Sequence, residues 1–307
     1  MEHFKLADSR VLLTGASSGI GRELAKELAA RGGLLAISAR RRSLLESLAD
    51  EIAARGGTRP AIVDADLSQK GAARALATEA EAELGRVDVL VNNAGGGVGG
   101  RICAVGDGEE ARDAFETNYW SPLALIKALV PPMKERGHGA VVNVTSMAQV
   151  STWPGFGAYA ATKGAFGVAT ETLAMELAAS PVRVLEVIPG PVDTAVQGET
   201  RLAPGIERML DRTPLGDATV LARLTAVALE RGKTRLIYPR RARLGYVLPT
   251  LARWDARRLA ARAAEETDEA TRAALEGLVV RTGSSGDEVA RQAREAWERE
   301  RGRVPGP

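Results

Sequence analysis

Short apolar runs alternate with stretches of helical periodicity along most of the chain. The runs Arg10–Thr14, Leu34–Ser38, Pro60–Asp64, Val87–Val91, Ala140–Thr145, Val182–Ile188 and Arg235–Tyr238 read as strands. Helix-like patterns lie between them, near 20–31, 43–55, 69–84, 109–136, 157–179 and 217–230. Strands that are apolar on both faces, separated by helices, indicate a parallel sheet covered on both sides. The expected architecture is α/β, a doubly wound parallel sheet of about seven strands, with ligands at the carboxyl ends of the strands.

Two segments break the alternation. Residues 193–216 form a polar, proline-punctuated stretch ending at Thr213-Pro214, the pattern of a lid or binding loop. After Pro239 the composition changes. Residues 240–262 hold seven arginines (240, 241, 243, 253, 257, 258, 262) against one acid, Asp255, with Leu244, Tyr246, Val247, Leu248, Leu251 and Trp254 interleaved. Mixed charge continues from Glu265 to the end, interrupted at Gly283-Ser284-Ser285-Gly286. The expected division is a catalytic domain over 1–240 and a helical extension over 241–307, peripheral to the catalytic core.

Composition adds little against this reading. The chain has 307 residues, 45% of them apolar, which suits one large α/β domain. A formal net charge of +2 gives no general argument for nucleic acid binding. The one cysteine, Cys103, excludes an intrachain disulfide and fits a reducing, cytoplasmic setting. The segment Met1–Lys5 leads into a strand within ten residues without a signal-peptide pattern, and no apolar run is long enough to span a bilayer.

Candidate chemistry begins at Thr14-Gly15-Ala16-Ser17-Ser18-Gly19-Ile20-Gly21, between the first strand and the first helix. Gly15, Gly19 and Gly21 would let backbone approach a pyrophosphate, and the helix N-terminus adds unpaired N–H groups and a favourable dipole. Ser17 and Ser18 can donate further hydrogen bonds. The second strand ends in Ala39-Arg40-Arg41-Arg42, where a carboxylate would grip the ribose hydroxyls of NAD and an arginine suits a 2′-phosphate. The cofactor expected is therefore NADP(H), with Arg40 first and Arg41 second as phosphate ligands. Asp66 and Leu67 close the third strand, where Asp66 is placed to accept from an adenine amino group. Asn92-Asn93-Ala94-Gly95 closes the fourth, where a small residue lets the adenosine ribose lie flat.

Tyr159 and Lys163 lie four residues apart on a predicted helix, hence on one face, and Ser146 ends the fifth strand. Hydride transfer to a carbonyl leaves an alkoxide that needs a proton, which a phenol supplies if its pKa lies near the working pH. An ammonium one turn away favours the phenolate. Ser146 can hydrogen-bond the substrate oxygen.

Over roughly residues 5–240 the chain resembles the short-chain dehydrogenase/reductase family, in its subgroup with a Gly-x-x-x-Gly-x-Gly turn. The matching blocks are Thr14–Gly21, Asp66, Asn92–Gly95, Asn118, Ser146, Tyr159, Lys163 and Pro189-Gly190-Pro191-Val192-Asp193-Thr194. The resemblance implies a Rossmann fold and an oxidoreductase. It makes Tyr159 the general acid/base and has Lys163 bind the nicotinamide ribose. Ser146 then orients the substrate, and Asn118 helps to hold a water in a proton relay. Ile20, Pro189, Gly190, Val192 and Thr194 are expected near the nicotinamide. A homodimer or homotetramer, built on the helices at 109–136 and 157–179, is likewise implied.

Substrate contacts are expected from the loops 96–108, 147–157 and 193–215, with Val98, Gln149, Trp153, Phe156, Val192 and Val196 on offer. That set is mainly apolar and favours a hydrophobic ketone or alcohol, as a small-molecule substrate, over a sugar phosphate. Trp153 fits a packing role equally well. The stretch 240–262 is open to four readings: a peripheral membrane contact, a cover over the substrate pocket, a subunit contact, or a solvated helix. A non-catalytic dinucleotide sensor or a membrane-surface scaffold is the alternative function; the former would be suggested by loss of Tyr159 or Lys163, and neither is lost.

Overall fold

A computed structural model describes residues 3–151, 153–192, 215–266 and 279–282. The chain runs β1 (Arg10–Thr14), α1 (Gly19–Ala30), β2 (Leu34–Ser38), α2 (Arg42–Ala54), β3 (Ala61–Ile62), α3 (Ala72–Leu84) and β4 (Val89–Asn92). There follow β5 (Gly97–Gly99), α4 (Ile102–Val105), α5 (Glu109–Phe115), a π-helical turn (Glu116–Trp120), α6 (Ser121–Glu135) and β6 (Gly139–Val144). A 3₁₀ turn (Met147–Gln149), α7 (Gly157–Glu176), β7 (Val182–Pro189), α8 (Ala218–Glu230), β8 (Arg235–Tyr238), α9 (Ala242–Val247), α10 (Pro249–Glu266) and β9 (Val280–Thr282) complete it.

Seven strands form one sheet in the order β3-β2-β1-β4-β6-β7-β8, with every neighbouring pair parallel. This is the doubly wound Rossmann arrangement. Strand alternation sends successive side chains to opposite faces. Val11 and Leu13 of β1 therefore join one core with Leu24 and Leu28 of α1, Leu48 of α2 and Leu221 of α8. Leu12 between them joins the other, with Leu76 of α3 and Leu125 and Leu129 of α6. Burial on both faces explains why no polar alternation marks these strands in the sequence.

The order reverses between β1 and β4, so the chain leaves their carboxyl ends in opposite directions and opens a crevice there. In register, Leu13 faces Val91, Asn92 faces Asn143, and Val144 faces Val187. The glycine turn, Asn92–Gly95, Ser146 and Pro189–Val192 thus leave the same edge of the sheet.

Three elements differ from the sequence reading. The edge strand expected at 60–64 is reduced to two residues, although Val63 N–H and Ala65 N–H continue donating to Ile37 O and Ala39 O. The long helix expected at 109–136 is interrupted by the π turn at Glu116–Trp120. The end of the described chain also returns as β9 and pairs antiparallel with β5, Val98 opposite Arg281. Val98 is buried there with Val105, Ala111 and Ala114, against Ala158 and Val279. That pairing joins residues far apart in sequence, and three-residue strands carry no pattern from which to read it.

Candidate active site

The first glycine turn is held from the neighbouring strand. Thr14 Oγ1 donates to Val91 O (3.2 Å) and accepts from Asn93 N–H (3.1 Å) and Ala94 N–H (3.0 Å). Asn93 Nδ2 donates to Thr14 O (3.0 Å) and Gly15 O (3.2 Å). This clamp leaves no room at Gly15, whose φ is +70° and whose Cβ would stand 2.7 Å from Ala94 Cα. A Cβ on Gly21 would overlap the Gly15 carbonyl oxygen and Asn93 Nδ2. Asn93 and Thr14 were absent from the candidate ligands. Both lie inside the blocks that carry the family resemblance, Thr14–Gly21 and Asn92–Gly95, where their position was the available signal.

Ser18 sits at the N-cap of α1 without a side-chain cap bond, and the first turn carries no acid. The helix thus presents its N–H groups and positive dipole end to the crevice, as an anion site requires. Arg41 reaches this turn from the end of β2. Its Nη2 donates to Ser17 Oγ (3.0 Å) and Ser18 Oγ (3.1 Å). Arg41 rather than Arg40, the first choice from sequence, is thus the arginine hydrogen-bonded to both serines; Arg40 is exposed. Arg42 is occupied by Glu46 and Asp64. The backbone bends at the strand end, so adjacent arginines diverge, which residue order cannot reveal.

The other nucleotide candidates fall into two groups. Ile20, Ala94 and Gly95 border the crevice, and Asp66 Oδ1 accepts from Ser68 N–H (3.1 Å) and Ser68 Oγ (2.9 Å) in a local turn. Leu67, Asn92 and Val192 instead turn inward. Leu67 is core, and its carbonyl accepts from Ser121 Oγ (2.8 Å). Asn92 Nδ2 donates to Asn143 Oδ1 (2.9 Å), and Asn143 donates onward to Thr170 (3.0 Å). Val192 is buried in the core and bridges to Gly216. Pro189 ends β7, and Gly190 N–H donates to Tyr238 O (2.7 Å). Thr194 and Val196 lie outside the described residues.

Four polar side chains converge at the carboxyl ends of β4 and β6. Ser146 follows β6 and accepts from Ala148 N–H (3.1 Å), and the Tyr159 hydroxyl is hydrogen-bonded to the Ser146 side chain. Lys163, one turn along α7, is buried and donates to Val144 O (3.1 Å). Asn118 accepts from Gly96 N–H (3.0 Å) and donates to Gly96 O (2.7 Å) and Thr162 Oγ1 (2.9 Å). Thr162 in turn donates to Tyr159 O (2.7 Å). A Cβ on Gly95 would meet both Asn118 Oδ1 (3.3 Å) and Lys163 Nζ (3.5 Å), which places those groups on one wall. Asn118 lies in the π-helical turn, a distortion frequent at functional sites.

Protonation departs from the sequence reading. Burial raises the Tyr159 pKa above its ordinary value, and the Ser146 hydrogen bond opposes that rise. Lys163 is not among the groups that move it; its ammonium is directed at the Val144 carbonyl. The expected tuning of the phenol by the amine is therefore corrected for this arrangement.

Burial also lowers Lys163, to about 8. An unfolded lysine titrates near about 10.4, so across that interval the unfolded chain binds more protons and stability rises with pH. The raised Tyr159 acts in the opposite sense, and only above about pH 10, where unfolded tyrosine ionises. The urea midpoint of wild type minus that of Lys163→Met is accordingly expected to grow between about pH 8 and about pH 10. A flat difference would show that Lys163 keeps an ordinary pKa.

The substrate candidates separate. Gln149 Nε2 donates to Glu186 Oε1 (3.0 Å), where Glu186 also binds Thr145 and Arg235. Gln149 therefore buttresses β7 instead of facing a substrate. Trp153 is buried against Leu215, Ala256, Leu259 and Ala260, so it is a packing residue between the loop after Ser146 and α10. Phe156 stays half-buried beside it, three residues before Tyr159. Arg253 Nε also donates to Val150 O (3.0 Å). The extension, expected to be peripheral, covers the loop that leads from Ser146 to Tyr159; Trp153 needs an apolar partner, and α10 supplies it.

A glycine turn at the sheet's switch point, beside a Ser–Tyr–Lys–Asn cluster at the ends of the next strands, places the chain in the Rossmann class. The family model for short chain dehydrogenases matches residues 9–204, and the chain belongs to that family. It is 39% identical over 196 residues to a short chain dehydrogenase of Pseudocercospora fijiensis, an alignment covering 62% of each chain. A short-chain dehydrogenase/reductase of Burkholderia phymatum, solved in complex with NAD, superposes with a TM-score of 0.71 at 27% identity, covering 81% of this chain and 97% of that one. A short-chain dehydrogenase of Sphingobium yanoikuyae, solved in complex with NADPH, gives 0.68 at 27% identity, covering 79% and 93%.

Proposed function

We propose that the chain transfers a hydride between NADP(H) and the carbonyl or alcohol carbon of a hydrophobic substrate. The observation that carries this reading is the Ser146–Tyr159 hydrogen bond, set on the same wall as Asn118 and Lys163 and opening from the crevice beside the glycine turn. The residues fit a dinucleotide. Gly15 and Gly21 form a turn that admits no side chain, and the uncapped α1 N-terminus suits a pyrophosphate. Arg41, with Ser17 and Ser18, offers a charged donor set for a 2′-phosphate at a strand end without a competing carboxylate.

The bound nicotinamide supplies or accepts the hydride. Ser146 holds the substrate oxygen, and Tyr159 gives it a proton in the reductive direction or takes one in the oxidative direction. Lys163, buried and easily deprotonated, is placed to bind a ribose hydroxyl and exchange a proton with it. Asn118 fixes Gly96 and the Tyr159 turn of α7 through Thr162 and suits a proton-relay role. The half-buried Phe156 supports an apolar substrate, and the exposed Trp120, Val168 and Met175 support self-association through the π turn and α7. The lone, exposed Cys103 fits a reducing, cytoplasmic setting.

A panel of aliphatic, aromatic and polycyclic ketones, followed by loss of NADPH absorbance, tests the reading. Wild-type kcat/KM is expected to be higher with NADPH than with NADH. Arg41→Ala should lower the NADPH value about tenfold or more, since a charged hydrogen bond contributes about 1.5–3 kcal/mol, and should leave the NADH value nearly unchanged. A wild-type preference for NADH would overturn the cofactor assignment.

A further inference from the structure

The outer side of the α9–α10 pair carries five large apolar side chains. Leu244, Val247, Leu248, Leu251 and Trp254 are between 46 and 66% exposed. Isolated exposed apolar residues are ordinary; five exposed ones within eleven positions are a concentration of the kind that marks an interaction surface. Among the described residues these five side chains belong to none of the hydrophobic clusters. α10 presents Ala256, Leu259 and Ala260 inward to Trp153, leaving Leu251, Trp254 and Arg258 on the opposite side.

Charge identifies the partner. Residues 240–262 contain seven arginines and one aspartate, a net of +6; the whole chain carries +2, so the remainder carries −4. The positive charge of an otherwise acidic protein is therefore gathered around this patch. Arg240, Arg243, Arg253, Arg257, Arg258 and Arg262 are exposed, and the Arg258 guanidinium lies over the Trp254 ring at 4.6 Å. An apolar stripe rimmed by arginines, with a tryptophan among them, suits shallow insertion into an anionic lipid surface: side chains enter the headgroup boundary while guanidinium groups meet the phosphates. Among the described residues no helix is long and apolar enough to cross a membrane, so the pair would lie on the bilayer.

We infer that α9 and α10 dock the protein onto an anionic lipid bilayer. Because the inner side of α10 covers the loop after Ser146, docking sets the loop between Ser146 and Tyr159 close to the lipid. A membrane-dissolved ketone or alcohol would then enter directly, a consequence that rests on the proposed activity; the docking itself does not.

The test is co-sedimentation of the full chain with vesicles of phosphatidylcholine alone or mixed with phosphatidylserine. The protein is expected to pellet with the mixed vesicles, to stay in solution with the neutral ones, and to be released by added salt. Leu251→Ser/Trp254→Ser, at exposed positions, should weaken partitioning about tenfold or more with an unchanged melting temperature. Arg257→Ser/Arg258→Ser should weaken it in the same sense and flatten the salt dependence. Equal binding by these variants, equal binding to neutral vesicles, or no vesicle binding would overturn the inference. Failure of binding together with a wild-type dimer that Leu251→Ser/Trp254→Ser dissociates would assign the patch to a second copy instead. None of these readouts uses turnover, so an inactive but membrane-bound protein would sink the proposed function and leave the docking standing.

Discussion

Tyr159→Phe is expected to lower the rate of NADPH-linked carbonyl reduction about 10²- to 10⁴-fold, the contribution of a positioned acid–base group. The substitution removes one oxygen from a half-buried ring, so folding and cofactor affinity should persist. The lost atom is the one hydrogen-bonded to Ser146, where the substrate oxygen has to arrive. Cofactor binding, measured by fluorescence titration, separates this loss from a collapsed site. The pH profile carries a second readout. Burial holds the Tyr159 proton on, so the group is an acid over the neutral range, and reduction should proceed well below pH 10. An unimpaired Tyr159→Phe variant would remove the phenol from the chemistry and return the choice to Ser146 or Lys163.

Gly21→Ala is expected to damage cofactor binding nearly as severely by a different route. The new Cβ would overlap the Gly15 carbonyl oxygen and Asn93 Nδ2, with the Gly15 carbonyl carbon at 2.8 Å. None of these is the free end of a flexible side chain: two are backbone, and the third is the clamp that holds Thr14 and Gly15. Overpacking of this kind costs about 1–3 kcal/mol. Expressed wholly in the turn, that is about a five- to 150-fold loss of NADPH affinity. Gly164→Ala is the control, because a Cβ there meets nothing within 4 Å. It should leave affinity unchanged. Equal affinity of Gly21→Ala and wild type would show that the first turn does not carry the pyrophosphate.

Much of this site was legible in order along the chain. Gly15, Gly19, Gly21, Ser146, Tyr159 and Lys163 are recognisable because each answers a local requirement. A turn at a helix N-terminus excludes side chains, and residues four apart on a helix share a face. Asn118 was visible only through the family resemblance, since a π turn leaves no periodic trace. Arg41 bonds Ser17 and Ser18, and Gln149 turns to Glu186, because neighbouring side chains on a loop point where the backbone sends them. Trp153 could not be placed from its own segment, since its partner, α10, begins almost a hundred residues later.

The sequence alone determined the alternation of buried strands and helices, the glycine cradle, and the concentration of arginines in the tail. These follow from local sterics, burial periodicity and charge, which act between residues near one another in the chain. The tertiary structure decided which arginine meets Ser17 and Ser18, how burial shifts Tyr159 and Lys163, and that α10 roofs the loop after Ser146 while Leu251 and Trp254 on its other side are exposed. Each of these depends on groups distant in sequence meeting at low dielectric, where desolvation and packing outweigh any preference carried by the local segment.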